Sequence, residues 1–308
     1  MIGISEIVSW TPPDSIDNLA QAEALGFEAS FASERIGAER LPQLAKGVET
    51  SDMAASAVEA LLLKSGMAAE DVQVLVLCTQ NPDGNGLPHT SAIVQTKAGL
   101  PQTIASFDYS LGCSGYVYGL HILKGFMEST GLERGVLVTA DPYSKIIDRS
   151  DRDTTLLFGD SATATLMTAD PKFDIGPVTF GTNGAGGEAI INRGGKLEMA
   201  GRQVFNFAAT NVPKQITTLL EREKIDIGDV DLFALHQGSR YIVETIAKRL
   251  RVPAEKAPVE LAMTGNTISS SIPLILEKHM DTPGINRILA SGFGVGLSWA
   301  TTILSRTT

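Results

Sequence analysis

Ser106-Phe107-Asp108-Tyr109-Ser110-Leu111-Gly112-Cys113-Ser114-Gly115-Tyr116-Val117-Tyr118-Gly119-Leu120 is the stretch on which the reading of this 308-residue chain turns. An apolar entry, Ile104 to Phe107, runs through a polar turn into small residues. A helical pattern follows through Leu120, Leu123, Phe126 and Met127. Cys113 therefore falls where a helix begins, with Gly112 before it and Gly115 after it. Free backbone N–H groups and the positive end of the helix dipole favour a thiolate there. Small neighbours let a substrate carbonyl reach the sulfur. For a cysteine taken alone, the alternative is a helix-start residue that merely packs.

Outward from this stretch, the chain alternates buried strands with helices. Residues 2–10 read as a strand, Ile16 to Gly26 as a helix, and Phe31 to Gly37 as an irregular insertion. A helix from Thr50 or Ser51 to Lys64, closed by Gly66, precedes a continuous apolar strand, Val72 to Leu77. Cys78 ends that strand as a packing residue, and His89 reads as a solvated loop histidine. A helix from Ser91 to about Ala98 leads into the Cys113 segment. Gly135 to Ala140 is a further strand, Asp148 to Asp153 a polar loop, and Leu156 to Met167 a strand pair with a tight Gly159-Asp160 junction. Beyond Asp170-Pro171 come a strand (Phe173 to Thr182), a Gly-rich loop (Asn183 to Gly195) and a long helix containing Pro213 (Val204 to Arg222). Then follow a strand (Val230 to Leu235), a helix (Tyr241 to Leu250), a helix with a small-residue start (Asn266 to His279) and two strands (Arg287 to Ala290, Leu297 to Leu304).

The second half repeats the first. Val72-to-Leu77 with Cys78-Thr79-Gln80 matches Val230-to-Leu235 with His236-Gln237-Gly238. Gly112-Cys113-Ser114-Gly115 matches Gly265-Asn266-Thr267-Ile268-Ser269. Val136-to-Ala140 with Phe158-to-Ala162 matches Ile288-to-Ser291 with Phe293-to-Leu297. An α/β chain of two pseudo-two-fold halves, 1–170 and 171–308, would bring the two helix starts face to face, with Cys113 and Asn266 in one pocket. His236, at the carboxyl end of its strand, sits where α/β proteins place chemistry.

Composition removes other classes. A hydrophobic fraction of 43% is that of a soluble globular protein, and no run of about 18 apolar residues exists to span a membrane. Met1 to Glu6 lacks a secretory pattern, and two cysteines build no disulfide framework, so a cytoplasmic protein is expected. A net charge of −10 disfavours nucleic acid. His89, His121, His236 and His279 are scattered and no C-x-x-C spacing occurs, so no metal is expected. Gly292 to Gly296 lacks the lysine of a phosphate-binding loop.

Taken together, the segments around Gly112-Cys113-Ser114-Gly115, Asp151-Arg152 with Leu157-Phe158-Gly159-Asp160, Met199-Ala200-Gly201, His236-Gln237, Gly265-Asn266-Thr267 with Ser271-Ile272-Pro273, and Gly292 to Trp299 resemble the β-ketoacyl-acyl-carrier-protein synthase III family. That resemblance spans nearly the whole chain and implies a thiolase-like, layered αβαβα fold. It implies that Cys113 accepts an acyl group from an acyl-CoA and that His236 and Asn266 bind the thioester carbonyl of a malonyl extender. No cofactor is implied beyond the CoA thioester substrates. Cys113 and Val295 are the candidate backbone oxyanion donors. The extender, carried on CoA or on a carrier protein, would lose CO₂ and attack the acyl-cysteine, in fatty-acid initiation or a specialised pathway.

The resemblance places Phe31, Arg35, Arg152, Gly201 and Ser239 at the CoA site, and Leu87, Phe158, Met199 and Phe293 around the acyl group. Phe31 stands where the family has tryptophan, Ser239 where it has asparagine, Val295 where it has glycine, and Ser161 where a glycine ends Phe-Gly-Asp-Gly. Leu87 takes the place of a phenylalanine that a partner subunit inserts, so a homodimer is implied. Lys248, Arg249 and Arg251 offer a patch for an acidic carrier protein, and a family docking lysine aligns with Asn206. The alternatives are an acyltransferase without decarboxylation and a non-catalytic partner subunit that only binds.

Overall fold

A computed structural model describes residues 1–307. Its strands are β1 (Gly3–Trp10), β2 (Ser15–Asp17), β3 (Arg40–Pro42), β4 (Val74–Cys78), β5 (Ala105–Tyr109), β6 (Arg134–Ala140), β7 (Ala162–Thr168), β8 (Phe173–Thr182), β9 (Ile190–Arg193), β10 (Lys196–Met199), β11 (Leu232–Leu235), β12 (Arg287–Gly294) and β13 (Ser298–Arg306). Its α-helices are α1 (Asn18–Ala24), α2 (Thr50–Ser65), α3 (Thr90–Lys97), α4 (Gly115–Thr130), α5 (Gly201–Glu223), α6 (Arg240–Leu250) and α7 (Ser271–His279).

Among the described residues, one nine-stranded sheet runs β11-β12-β13-β8-β1-β7-β6-β4-β5. Its middle is a short antiparallel join, Gly3 and Ile4 of β1 against Asp174 and Phe173 of β8. Outward from that join the two sides repeat. β1-β7-β6 and β8-β13-β12 are antiparallel runs, and β6-β4 and β12-β11 are parallel pairs. The internal symmetry read from the sequence is thus a symmetry of strand order and direction.

Burial explains why the strands read as unbroken apolar runs. In β4, Val74 and Val76 join the core containing α4 and α7, while Leu75 and Leu77 join the core formed with α2 and α3. In β11, Leu232 and Ala234 share the α4–α7 core, and Phe233 and Leu235 share the core formed with α5 and α6. Each parallel region is covered on both faces, so alternation with polar residues disappears. The layers are α2/α3, the β1-to-β5 half of the sheet, α4/α7, the β8-to-β11 half of the sheet, and α5/α6. Tyr116, Val117, Leu120, Leu123 and Met127 of α4 are fully buried in the middle layer, each contributing about 1.5–3 kcal/mol of transfer free energy.

Several local expectations are corrected. Ile16 lies in β2, and α1 starts only at Asn18, where Asp17 accepts hydrogen bonds from the N–H groups of Leu19 and Ala20. Phe31–Ile36 forms a turn of π-helix. In Leu156 to Met167 only the portion from Ala162 onward is strand, because Phe158 instead bridges in parallel to Asn266. The Gly-rich loop contains the hairpin β9–β10. The Asn266-to-His279 helix starts only at Ser271, since Ile268 has φ +56 and breaks the helical path. Pro273 is tolerated because it is the third residue of α7, where the helix has no use for its N–H.

Candidate active site

Cys113 sits in the turn two residues before α4, and its side chain is buried. The end of β12 backs onto it so closely that a Cβ on Gly294 would lie 2.7 Å from Cys113 Sγ. Burial first, and then the charge of Asp141, push the thiol up to about 12. The backbone N–H groups of Val295 and of Cys113 itself bond to the sulfur and oppose that shift. This corrects the expectation of a resting thiolate. The helix begins beyond Cys113, and desolvation of the sulfur outweighs the helix terminus.

Asp141 follows β6 directly and is fully buried. It accepts hydrogen bonds from the Gln80 N–H (2.7 Å) and the Ser269 hydroxyl. Burial raises its carboxyl to about 6, against these bonds. Gln80 Oε1 in turn accepts from the Tyr143 hydroxyl at 2.7 Å. The Tyr143 ring lies 5.2 Å from that of Phe158.

His236 follows β11, with its N–H donating to the Ser291 carbonyl at 2.9 Å. Its Nδ1 is 2.7 Å from Ser271 Oγ, and its ring meets Phe293 edge-on at 5.4 Å. Burial lowers the imidazole to about 3, with a backbone bond to Ile268 acting the other way. It is neutral at physiological pH.

Asn266 is placed by Gly265, whose φ of +62 and crowding by Leu41 and the Leu157 carbonyl leave no room for a Cβ. The Asn266 N–H donates to Leu157 O at 2.8 Å, and its Oδ1 accepts from the Ile268 N–H at 2.9 Å. That second bond leaves the carboxamide NH₂ as a donor for the cavity.

Cys113, His236 and Asn266, from distant parts of the chain, line one cavity of about 560 Å³. Phe158, Met199, Phe293 and Val295 line it as well. Around Cys113 the walls are apolar, with Tyr143, Ile190, Leu197 and Ile268 in the same cluster. Phe31, Arg35, Gly201 and Ser239 line the cavity too, as does Asn206. The Ser239 hydroxyl accepts from the Ile242 N–H and caps α6.

Two expected residues lie outside the lining. Leu87 is 86% exposed, beyond the cavity of its own chain. Arg152 stacks its guanidinium over Phe27 at 4.4 Å, and Phe27 stacks on Phe31 at 4.6 Å. A second ladder places Arg35 over Tyr241 at 4.2 Å and Tyr241 against Phe205 at 5.0 Å. Arg249, read as part of a basic patch, donates to the Ala209 carbonyl and ties α6 to α5.

Sequence reasoning missed Tyr143, Tyr241, Phe205, Asp141 and Ser271. A signal existed for Asp141 and Tyr143, which closely follow the carboxyl end of a buried strand. The Phe158-to-Ser161 motif is chiefly structural. Asp160 accepts from the Leu44 N–H and from Ser144, and Ser161 Oγ donates to the Trp10 carbonyl.

Comparison with known proteins agrees with this geometry. Residues 107–184 match the family described as 3-oxoacyl-[acyl-carrier-protein] synthase III, and residues 220–306 match its C-terminal family. A β-ketoacyl-[acyl-carrier-protein] synthase III of Streptococcus pneumoniae is 30% identical over 98% of this chain and 98% of its own length. The chain belongs to the β-ketoacyl-[acyl-carrier-protein] synthase III family.

Solved synthase III structures superpose closely. One matches with TM-score 0.93 and 30% identity, covering 99% of both chains. The enzyme of Aquifex aeolicus matches with TM-score 0.92 and 26% identity, covering 99% of this chain and all of that one. A priming β-ketosynthase of a polyketide pathway, at 24% identity and TM-score 0.88, shares the fold. Membership of the synthase III family makes this chain a thiolase-fold condensing enzyme, a transferase. No helix among the described residues is long and apolar enough to cross a membrane.

Proposed function

We propose that this chain condenses an acyl-CoA primer with a malonyl thioester, carried on CoA or on a carrier protein, through an acyl-Cys113 intermediate. Cys113 loses its proton as its sulfur attacks the primer carbonyl, and the Cys113 and Val295 N–H groups hold the tetrahedral oxyanion. The C–S bond to CoA then breaks, the departing CoA thiolate takes up the proton that Cys113 gave up, and the acyl-enzyme remains. The malonyl thioester then binds with its carbonyl oxygen at His236 Nε2–H and the Asn266 NH₂. The bond to the carboxylate breaks, CO₂ leaves, and the electron pair passes into an enolate held by those two donors. The enolate carbon attacks the acyl-cysteine carbonyl, the C–S bond breaks, and a β-ketoacyl thioester departs. No side-chain base is needed, because decarboxylation creates the carbanion.

The observation that carries this reading is the convergence of one sulfur, one neutral imidazole and one oriented carboxamide on a single cavity. Residues 1–170 supply the sulfur and residues 171–308 the two enolate donors. The arginine–aromatic ladders with Phe31, Arg35 and Arg152 support a CoA nucleotide at the mouth, and the exposure of Leu87 supports its insertion into a partner in a homodimer. Two free thiols suit a reducing cytoplasm.

Intact-mass measurement after incubation with a panel of acyl-CoAs, followed by malonyl-CoA and CO₂ detection, tests the proposal. An adduct on Cys113 followed by CO₂ release is expected. An adduct without CO₂ release would instead mark an acyl carrier of the same fold, and no adduct a binding subunit.

A further inference from the structure

The proposed chemistry needs His236 to present a proton at Nε2, and a neutral imidazole has one N–H to place. Which nitrogen holds it depends on the partner of Nδ1. That partner is Ser271, the first residue of α7, whose Oγ lies 2.7 Å from His236 Nδ1. The same oxygen is 3.1 Å from the Ile268 carbonyl and 3.4 Å from the Gln237 N–H.

One hydroxyl proton therefore has two claimants. If it goes to the Ile268 carbonyl, Nδ1 must donate to Oγ, and Nε2 turns a lone pair on the cavity. A developing enolate oxygen would be repelled. If it goes to Nδ1, the Gln237 N–H faces an Oγ lone pair and Nε2–H faces the cavity. The 2.7 Å contact to Nδ1 fits either direction; only the second arrangement gives the enolate a donor, and the Ser271 hydroxyl is the group at Nδ1 that can donate to it.

Ile268 links the two enolate donors. Its N–H fixes the Asn266 carboxamide, and its carbonyl competes for the Ser271 proton. A fully buried β-branched residue at φ +56 is a strained position, of order 1–3 kcal/mol, held by its surroundings. That strained peptide places both of these backbone contacts.

We infer that Ser271 is a positioning residue: its hydroxyl donates to His236 Nδ1 and holds the imidazole in the Nε2–H tautomer used in decarboxylation. This rests on the function proposed above. It assigns Ser271 no part in loading Cys113, because the primer's oxyanion is held by backbone N–H groups.

The test separates the two half-reactions and reads the tautomer directly. In Ser271→Ala, Nδ1 loses the hydroxyl that donates to it while the backbone bond of the imidazole to Ile268 remains, and a carbonyl accepts but cannot donate, so the Nδ1–H form is expected. Nitrogen NMR of ring-labelled protein should show Nε2–H in the unsubstituted protein and Nδ1–H in Ser271→Ala. Decarboxylation of malonyl-CoA by the acyl-enzyme should fall by about 10²–10³-fold in kcat, with KM held, as on losing one oxyanion donor. Acyl loading by intact mass should stay within about twofold, and Ser271→Thr should recover most of the lost rate. Nδ1–H in the unsubstituted protein, or equal loss of loading and decarboxylation in Ser271→Ala, overturns the inference. If the unsubstituted protein neither loads nor decarboxylates, the proposed function falls, while the NMR result still decides the role of Ser271.

Discussion

The β4–α4 and β11–α7 units occupy equivalent places in the sheet yet do opposite things at their strand ends. Cys78 closes β4 and turns its sulfur to the Leu111 carbonyl, packed so tightly that a Cβ on Gly115 would collide with it. His236, its counterpart after β11, lines the cavity and bonds to Ser271. At the helix starts the roles reverse. The α4 side offers a thiol, Cys113, with two N–H groups on its sulfur. The α7 side offers Asn266, with its carboxamide turned by a backbone N–H. Under the proposed function the two like frames divide the work, with the nucleophile on one and the enolate donors on the other.

The sharpest break of this comparison is between the two cysteines. Cys113→Ala should show no acyl adduct and no condensation, while Cys78→Ala should still load, measured by intact mass. An adduct on Cys113→Ala would reverse the assignment. Asn266→Ala, on the other side, should keep loading yet lose about 10²–10³-fold in malonyl decarboxylation, followed as CO₂ release. Equal loss of both steps would dissolve the division of labour.

The effect of pH should differ between the two sides. A thiol raised to about 12 means that the thiolate fraction, and the loading rate, climb with pH across the neutral range. Asp141→Asn removes the charge that is second to burial in that shift, so its rate–pH curve should move to lower pH. An unchanged curve would remove Asp141 from the account. Decarboxylation should show no such slope, because His236 is neutral throughout. Stability follows a separate sign. The unfolded chain protonates His236 below about 6.5 whereas the folded chain refuses the proton down to about 3, so this group costs stability as pH falls through that window. Asp141, raised from 3.8 to about 6, contributes stability at low pH that is lost as pH rises through 6. Urea titrations of His236→Gln and Asp141→Asn should therefore change the slope of stability against pH in the same acidic window, in opposite directions.

Smaller effects concern the cavity itself. Tyr143, tied to Gln80 and packed on Phe158, restricts the space beside Cys113. Tyr143→Ala should shift the loaded acyl-CoAs toward longer chains, scored by mass shift across the panel. The same profile in both proteins would place the limit elsewhere. Smallest is Phe31→Ala, which should raise KM for acyl-CoA about fivefold, near 1 kcal/mol of stacking, with loading kcat held. A fall in kcat instead would mean that the stack shapes the catalytic centre.

Much of this was legible from residue order. Continuous apolar strands, helix starts rich in small residues and the repeat of both were read correctly because strand burial and helix periodicity are local patterns. The misread pieces share one cause. Leu156 to Phe158 looked like strand, but Phe158 is claimed by Asn266, more than a hundred residues away. Asn266 to Ser270 looked helical, but Ile268 is held out of helical geometry by contacts on both sides. Arg152, expected at the CoA nucleotide, also stacks over Phe27, a partner that residue order did not point to.

The sequence alone therefore determined the layered α/β architecture and the duplicated frame, and it pointed to the sulfur, imidazole and carboxamide, because these are written in periodicity and in rare polar residues at element ends. Only the tertiary structure decided the state in which those groups wait. The buried thiol beside Asp141, the neutral imidazole against Ser271 and the amide turned by Ile268 each depend on desolvation and on partners brought in from other elements. Protonation and orientation are properties of surroundings, and surroundings exist only once the chain has folded.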